Sequence, residues 1–202
     1  MTDPTPRRRA DGERTRHAIL QAAAGLATTD GLEGLSIGRL AEHLGMSKSG
    51  LYAHFGSKEE LQLATIATAA GIFDAEVVAP TRAEPTARGR IEALCERFLS
   101  HVERKVFPGG CFFAAAGAEF DTQSGRVRER VAEFLQGWVE RFERLVREAQ
   151  DAGDLDPAEE PAQVAFEIEA YLLMANNAFV LDGDPVALER ARRALRRRLS
   201  PR

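Results

Sequence analysis

Ser36-Ile37-Gly38-Arg39-Leu40-Ala41-Glu42-His43-Leu44-Gly45-Met46-Ser47-Lys48-Ser49-Gly50-Leu51-Tyr52-Ala53-His54-Phe55-Gly56-Ser57-Lys58-Glu59-Glu60-Leu61 reads as two short helices and the start of a third, each opened by a serine and the first two closed by a glycine. Ser36 is suited to cap the first, since its hydroxyl can accept from an amide of the opening turn. Ile37, Leu40, Ala41 and Leu44 then recur at three and four, and Gly45 ends the pattern. Ser47 caps the second, which runs through Phe55 with Leu51 and Phe55 turned inward. Ser57-Lys58-Glu59-Glu60 is a capping box that opens the next helix, with its acidic pair at the positive helix end.

Working towards the N-terminus, Ile19, Ala22, Ala23, Leu26 and Ala27 share one helical face and Gly31 stands where a left-handed cap belongs. A longer helix followed by two short ones makes a three-helix helix-turn-helix spanning residues 36–55 at its core, whose second short helix enters the major groove of DNA. The exposed face of that helix offers Ser47, Lys48, Ser49, Tyr52 and His54. Gly50 costs roughly 1 kcal/mol against alanine inside a helix unless close approach to the groove wall requires it. Lys58 stands at a helix N-terminus, where free amides and an ammonium together can hold a phosphate. The first ten residues are proline-rich and charged and are expected to form a disordered arm, with Arg7, Arg8 and Arg9 either tracking a minor groove or remaining solvated.

Towards the C-terminus, a long fourth helix is expected through about Val78, then a loop at Pro80, Pro85 and Gly89. Residues 90–105 carry the stripe Ile91, Leu94, Phe98 and Val102, closed by Pro108-Gly109-Gly110. Residues 124–152 carry two adjoining stripes, one through Val127, Val131, Phe134, Trp138, Phe142, Leu145 and Ala149, the other through Leu135, Val139 and Val146. Residues 161–181 are apolar nearly all round, as in a helix covered on several sides. A last helix ends near Leu199, and Arg190, Arg192, Arg193, Arg196, Arg197 and Arg198 read as its exposed face. No alternating strand pattern or fixed repeat occurs. The expected architecture is all-α with nine or ten helices, a DNA-binding head over residues 1–60 and a larger body over 61–202.

Composition narrows the function. The chain has 202 residues, 44% of them hydrophobic, enough to bury a core. No apolar run reaches the roughly 18 residues of a membrane span, and the first residues lack the apolar segment of a secretory leader, so a cytoplasmic location is expected. Cys95 and Cys111 are too few and too scattered for a disulfide framework. The net charge of -4 argues against nucleic acid if taken alone. Yet residues 1–58 hold eight basic against six acidic side chains, so the acidic surplus lies in the body.

The quoted stretch closely resembles the N-terminal signature of the tetracycline-repressor (TetR) family. The resemblance covers about a quarter of the chain, and the remaining helices agree with the family in number and layout. It implies a homodimeric transcription factor in which Ser36, Ser47, Tyr52, His54 and Lys58 meet phosphates and Lys48 and Gly50 meet base edges, with Arg39 within reach of either. The family often has Val or Thr where this chain has Met46 and Leu51. The segment from Cys111 to Phe120 is similar to one found in a subset of such regulators.

The body is expected to dimerise by packing residues 126–149 and 161–181 of each chain into a four-helix bundle. Its aromatic content suggests a pocket for a small apolar or aromatic effector, with Phe98, His101, Cys111, Glu119, Trp138, Phe142 and Tyr171 as candidate lining residues. An enzyme is the rival class, but there is no GxSxG, no P-loop, no HExxH and no metal-ligand spacing, so no catalytic residue, metal or cofactor is assigned. A redox sensor built on Cys111 is the remaining alternative. The sequence thus points to a repressor that leaves a palindromic operator when its effector binds.

Overall fold

Each short helix of the head is capped as its serine demands. The computed structural model describes residues 6–200, with side chains from residue 12 onward. Helix α1 (Pro6–Asp30) begins inside the expected arm, so residues 6–10 are helical rather than disordered, and proline at the first position is compatible with that start. Residues 1–5 and the side chains of Arg7, Arg8 and Arg9 lie outside the described residues. Helices α2 (Ile37–Leu44) and α3 (Lys48–Phe55) follow, then α4 (Lys58–Phe73). The Oγ atoms of Ser36, Ser47 and Ser57 accept from the amides of Arg39, Gly50 and Glu60.

The fourth helix ends earlier than the periodicity suggests. After Phe73 the chain takes a π-helical turn over Asp74–Val78 and a 3-10 turn over Ala79–Ala83, where Pro80 withdraws a backbone donor. The body then adds α5 (Ala87–Glu103), α6 (Phe112–Phe120), α7 (Arg126–Asp151), α8 (Pro161–Asp182) and α9 (Val186–Arg198), giving nine α-helices and no strand among the described residues. Contrary to the run-length reading, Lys58–Ala83 and Pro161–Asp182 are each long and apolar enough to cross a membrane. In this fold their apolar side chains pack: Leu61, Ile66, Ala69 and Phe73 of α4 and Val164, Ala165, Ile168 and Leu172 of α8 are buried.

Head and body share a continuous core. Helix α1 packs on α4 and α6, with Ile19, Ala23, Ala24 and Ala27 buried. Gly109 brings the loop before α6 against the Thr28 carbonyl, closer than any Cβ permits, and its amide donates to Thr28 Oγ1 at 3.0 Å. Helix α7 is the central strut, in contact with α4, α5, α6 and α8. This narrows what α7 can offer to the expected dimer surface. Val127, Val131, Trp138, Phe142, Leu145, Val146 and Ala149 are all buried within their own chain, so the α7 stripe is not left over for a partner. The apolar side chains that remain outside lie on α8 and at the start of α9: Phe166, Met174, Val180, Leu181 and Val186, with Leu181 84% exposed. The arginine run of α9 is also less free than expected. Arg192 bonds Glu96, Glu103 and Glu189, and Arg198 bonds Glu159 and Glu167.

Phe142 is fully buried against Trp138. We expect Phe142→Ala to cost about 3–5 kcal/mol of stability in urea denaturation. An unchanged midpoint would place that ring outside the core.

Candidate nucleic-acid interface and effector chamber

The turn between α2 and α3 is set by Gly45, which adopts φ +63° and donates its amide back to the last turn of α2. Leu40, Ala41, Leu51 and Phe55 are buried beneath it, so the two short helices are held at a defined angle. Arg16 reaches across from α1, donating to the His54 carbonyl at 2.5 Å while its guanidinium sits 4.4 Å above the Phe55 ring. That contact ties the C-terminal end of α3 to α1, and the sequence pattern gave no sign of it.

The outer face of α3 presents Ser47, Lys48, Ser49, Tyr52 and Ala53 to solvent, with Tyr52 58% exposed. Gly50 and His54 are half-buried beside them. A Cβ on Gly50 would stand 3.0 Å from the capping Ser47 hydroxyl, so the cap itself already disfavours a larger residue there. Lys48 lies near Gly38 of α2. Arg39 pairs with Asp30 at 2.7 Å and Lys58 with Glu33 at 2.5 Å, the latter bond holding the Glu33 carboxyl below its usual pKa. Both cations are exposed enough to exchange a carboxylate for a phosphate. Of the expected head residues, Arg39, Ser47, Lys48, Ser49, Tyr52 and Lys58 are exposed and Ser36, Gly50 and His54 are half-buried, with the hydroxyls of Ser36 and Ser47 engaged in the caps of α2 and α3.

In the body, Phe73 is the hub. Its ring meets Phe98, His101, Phe113, Phe134 and Trp138 edge-on at centroid separations of 5.1–6.3 Å. Trp138 also contacts Phe142 and donates its indole N–H to Glu169 at 2.7 Å. A cavity of about 220 Å³ opens beside this cluster, between α4 with its π turn and α7, lined by Phe73, Val78, Phe134, Gly137 and Trp138. His101 is fully buried against Phe73 and Phe107, and neither ring nitrogen has a partner.

Comparison with known proteins agrees with this arrangement. Residues 19–65 match the bacterial regulatory proteins of the tetR family, and residues 87–195 match the tetracyclin repressor-like C-terminal domain. The chain belongs to the TetR family. A TetR transcriptional regulator from Chloroflexus aurantiacus J-10-FL superposes with a TM-score of 0.85 at 28% identity, over 92% of this chain and 94% of that one. AibR, solved in complex with isovaleryl coenzyme A and operator DNA, gives 0.77 at 24% identity over 93% and 100%. Reduced NemR from E. coli gives 0.74 at 21% identity over 92% and 98%. The last two establish likeness of fold alone. No curated protein sequence matches the chain significantly.

As a TetR-family regulator, the chain carries a helix-turn-helix head of the DNA-binding type on a helical body. Of the seven body residues expected to line a pocket, only Trp138 lines this cavity; Phe98 and His101 pack behind it on Phe73, and Phe142 packs on Trp138. Cys111 caps α6, where its amide donates to Asn176 Oδ1 at 2.8 Å. Glu119 lies elsewhere: its carboxylate accepts from the amides of Leu32 and Glu33 at 2.7 and 2.9 Å, at the junction of α1 and α2. Tyr171 also lies elsewhere, lining an outer groove between α8 and α9. Phe73, Phe134 and Gly137 line the cavity and lie outside that set, because a helix end and a gap cannot be read from periodicity. Cys95 and Cys111 are buried, and burial pushes the thiol of Cys95 up strongly and that of Cys111 to about 11. Thiolate chemistry is thereby disfavoured at both.

Burial pushes His101 down to about 4, with Glu76 opposing and Arg104 assisting. The unfolded chain takes up this proton near pH 6.5, whereas the folded chain resists it until about pH 4. Stability attributable to this site is therefore fully present above pH 6.5 and is lost as the pH falls towards 4. We expect a loss of about 2 kcal/mol at pH 5 relative to pH 7, absent in His101→Leu. Urea denaturation of both proteins at the two pH values tests this, and identical pH dependence would remove His101 from the account.

Proposed function

We propose that this TetR-family chain is a homodimeric repressor that occupies a palindromic operator and is released by a small apolar effector bound in the body. The observation that carries the DNA reading is the exposed polar face of α3, with Lys48, Ser49 and Tyr52 outward while Leu51 and Phe55 anchor the helix inward. In this reading Lys48 and Gly50 meet base edges, while Ser36, Ser47, Tyr52, His54 and Lys58 hold phosphates. Arg39 is free to join either set. Phosphate contacts set position and base contacts set sequence, so the two groups should separate experimentally.

The exposed apolar side chains of α8 and α9 support the dimer. Met174, Ala175, Ala178, Ala187, Ala191 and Ala194 line a groove of about 250 Å³ between the two helices, small residues that let a second copy approach closely. Two chains joined there would present two α3 helices to successive major grooves, about 34 Å apart. Effector release then follows by population shift, provided the effector binds better to a dimer whose recognition helices no longer match that spacing. AibR, with its effector and its operator in one structure, is a precedent for both partners in a protein of this fold.

Electrophoretic mobility shift on the DNA flanking the gene is the direct test. We expect Lys48→Ala to lose roughly 1–3 kcal/mol of discrimination between operator and random DNA, and Lys58→Ala to weaken binding to both alike. Equal losses from both variants would show that Lys48 does not read sequence. Leu181→Glu should yield a folded monomer in analytical ultracentrifugation with weakened operator binding. A persistent dimer would move the interface off α8 and α9.

A further inference from the structure

The cavity beside Phe73 and Trp138 does not end in apolar surface. A second cavity of about 170 Å³ adjoins it, sharing Val78 and Arg141 as a common wall, and this one is lined by Arg82, Arg90, Arg141 and Arg144 together with Leu94 and Glu148. Neither alone reaches the roughly 300 Å³ at which small-molecule pockets begin, so a ligand of that size has to span both, passing Val78 and Arg141. The two linings together hold four guanidinium groups and three carboxylates. Asp74 is taken by Arg82 at 3.0 Å and Glu148 by Arg90 at 2.9 Å. Glu133, at the rim of the apolar cavity, is taken by Arg130 at 2.7 Å. Arg141 and Arg144 make no hydrogen bond or ion pair among the described residues, although they lie one turn apart on α7.

Two neighbouring cations without a bonded carboxylate are an unfavourable arrangement, more so for Arg141, which is half-buried. Desolvation first, and then repulsion from Arg144, lower the pKa of Arg141 against the weaker pull of Asp74. A bidentate acceptor such as a carboxylate or phosphate would relieve both effects, because the guanidinium fork matches its geometry. The π-helical turn brings the two halves together. It ends α4 at Phe73, in the aromatic chamber, and leaves Val78 between the chambers with Arg82 beyond.

We propose that the effector is an amphipathic anion whose apolar chain lies against Phe73, Phe134 and Trp138 and whose carboxylate or phosphate is held by Arg141 and Arg144. This rests on the reading of the body as an effector sensor and gives that effector a chemical class. The charge has two sources, the carboxylate of a free fatty acid or the phosphates of an acyl thioester carrier, and either presents an oxyanion that the guanidinium fork can hold.

Trp138 is the only tryptophan and lines the apolar half, so its fluorescence reports occupancy directly. The full-length protein is titrated with sodium octanoate, octanoyl coenzyme A and 1-octanol, each with and without operator DNA. We expect at least one of the two anions to bind roughly tenfold or more tighter than 1-octanol. Their preference should fall with added salt, while 1-octanol should be indifferent to it. Arg141→Gln with Arg144→Gln should bring the anion down to the affinity of the alcohol, leaving alcohol binding and operator binding without ligand unchanged. Gly137→Leu, whose Cβ would meet nothing within 4 Å, should intrude on the mouth and weaken all three. Octanoate tighter than the thioester assigns the charge to a carboxylate, and the reverse assigns it to phosphate. Equal binding of alcohol and anions, or no binding of any of them, overturns the proposal; the salt dependence of the unmodified protein decides the matter even if the double variant misfolds. Anion binding through the two arginines with no change in operator affinity would leave this site standing and remove the sensing reading instead.

Discussion

The edge-on packing of one ring, Phe73, against five others holds the body in register. Its partners come from three helices: Phe98 and His101 from α5, Phe113 from α6, Phe134 and Trp138 from α7. Edge-to-face geometry is directional, so each pair constrains an angle as well as a distance, at about 0.5–1.5 kcal/mol beyond burial. Because Phe73 is the last residue of α4 and α4 begins at the recognition module, the same ring joins the floor of the chamber to the scaffold of the head. The π turn that follows it places Asp74 and Val78 where a regular helix would have carried the chain onward.

His101 and the arginines of α7 sit on opposite sides of an energetic rule. Buried polar groups normally find partners, and one left without costs about 1–3 kcal/mol. The imidazole stays neutral in its aromatic cage. Arg141 and Arg144 face an opening. The first is a burden on stability and the second is tolerable only at an edge that solvent or a ligand can reach, so the unfavourable terms of this body gather around its cavities.

The head was legible because its signals are local. A serine cap, a three-four repeat and a glycine with positive φ act within a single turn, and Ser36, Ser47, Ser57 and Gly45 behave as their neighbours require. The body was legible only in outline. The stripe of α7 was plain, but periodicity does not say whether such a stripe meets the same chain or another, and Trp138 and Phe142 turned out to face inward. Residue type alone puts Tyr171 with the other aromatics and Glu119 with them as a polar group, whereas α6 turns Glu119 towards the head and Tyr171 lines the outer groove between α8 and α9. The contact of Arg16 with Phe55 spans 39 positions and leaves no local trace.

The carboxylate of Glu119 leaves a mark on how separable the two parts are. Gly31, at φ +82°, leaves no room for a Cβ beside that carboxylate, and the following two amides point straight at it. Part of the wall of the head is thus supplied by a residue nearly ninety positions later. A chimaera that grafted residues 1–60 onto a foreign body would carry two backbone donors with their acceptor left behind. A cut at residue 60 thus leaves on the far side the carboxylate that α6 supplies to the amides of Leu32 and Glu33.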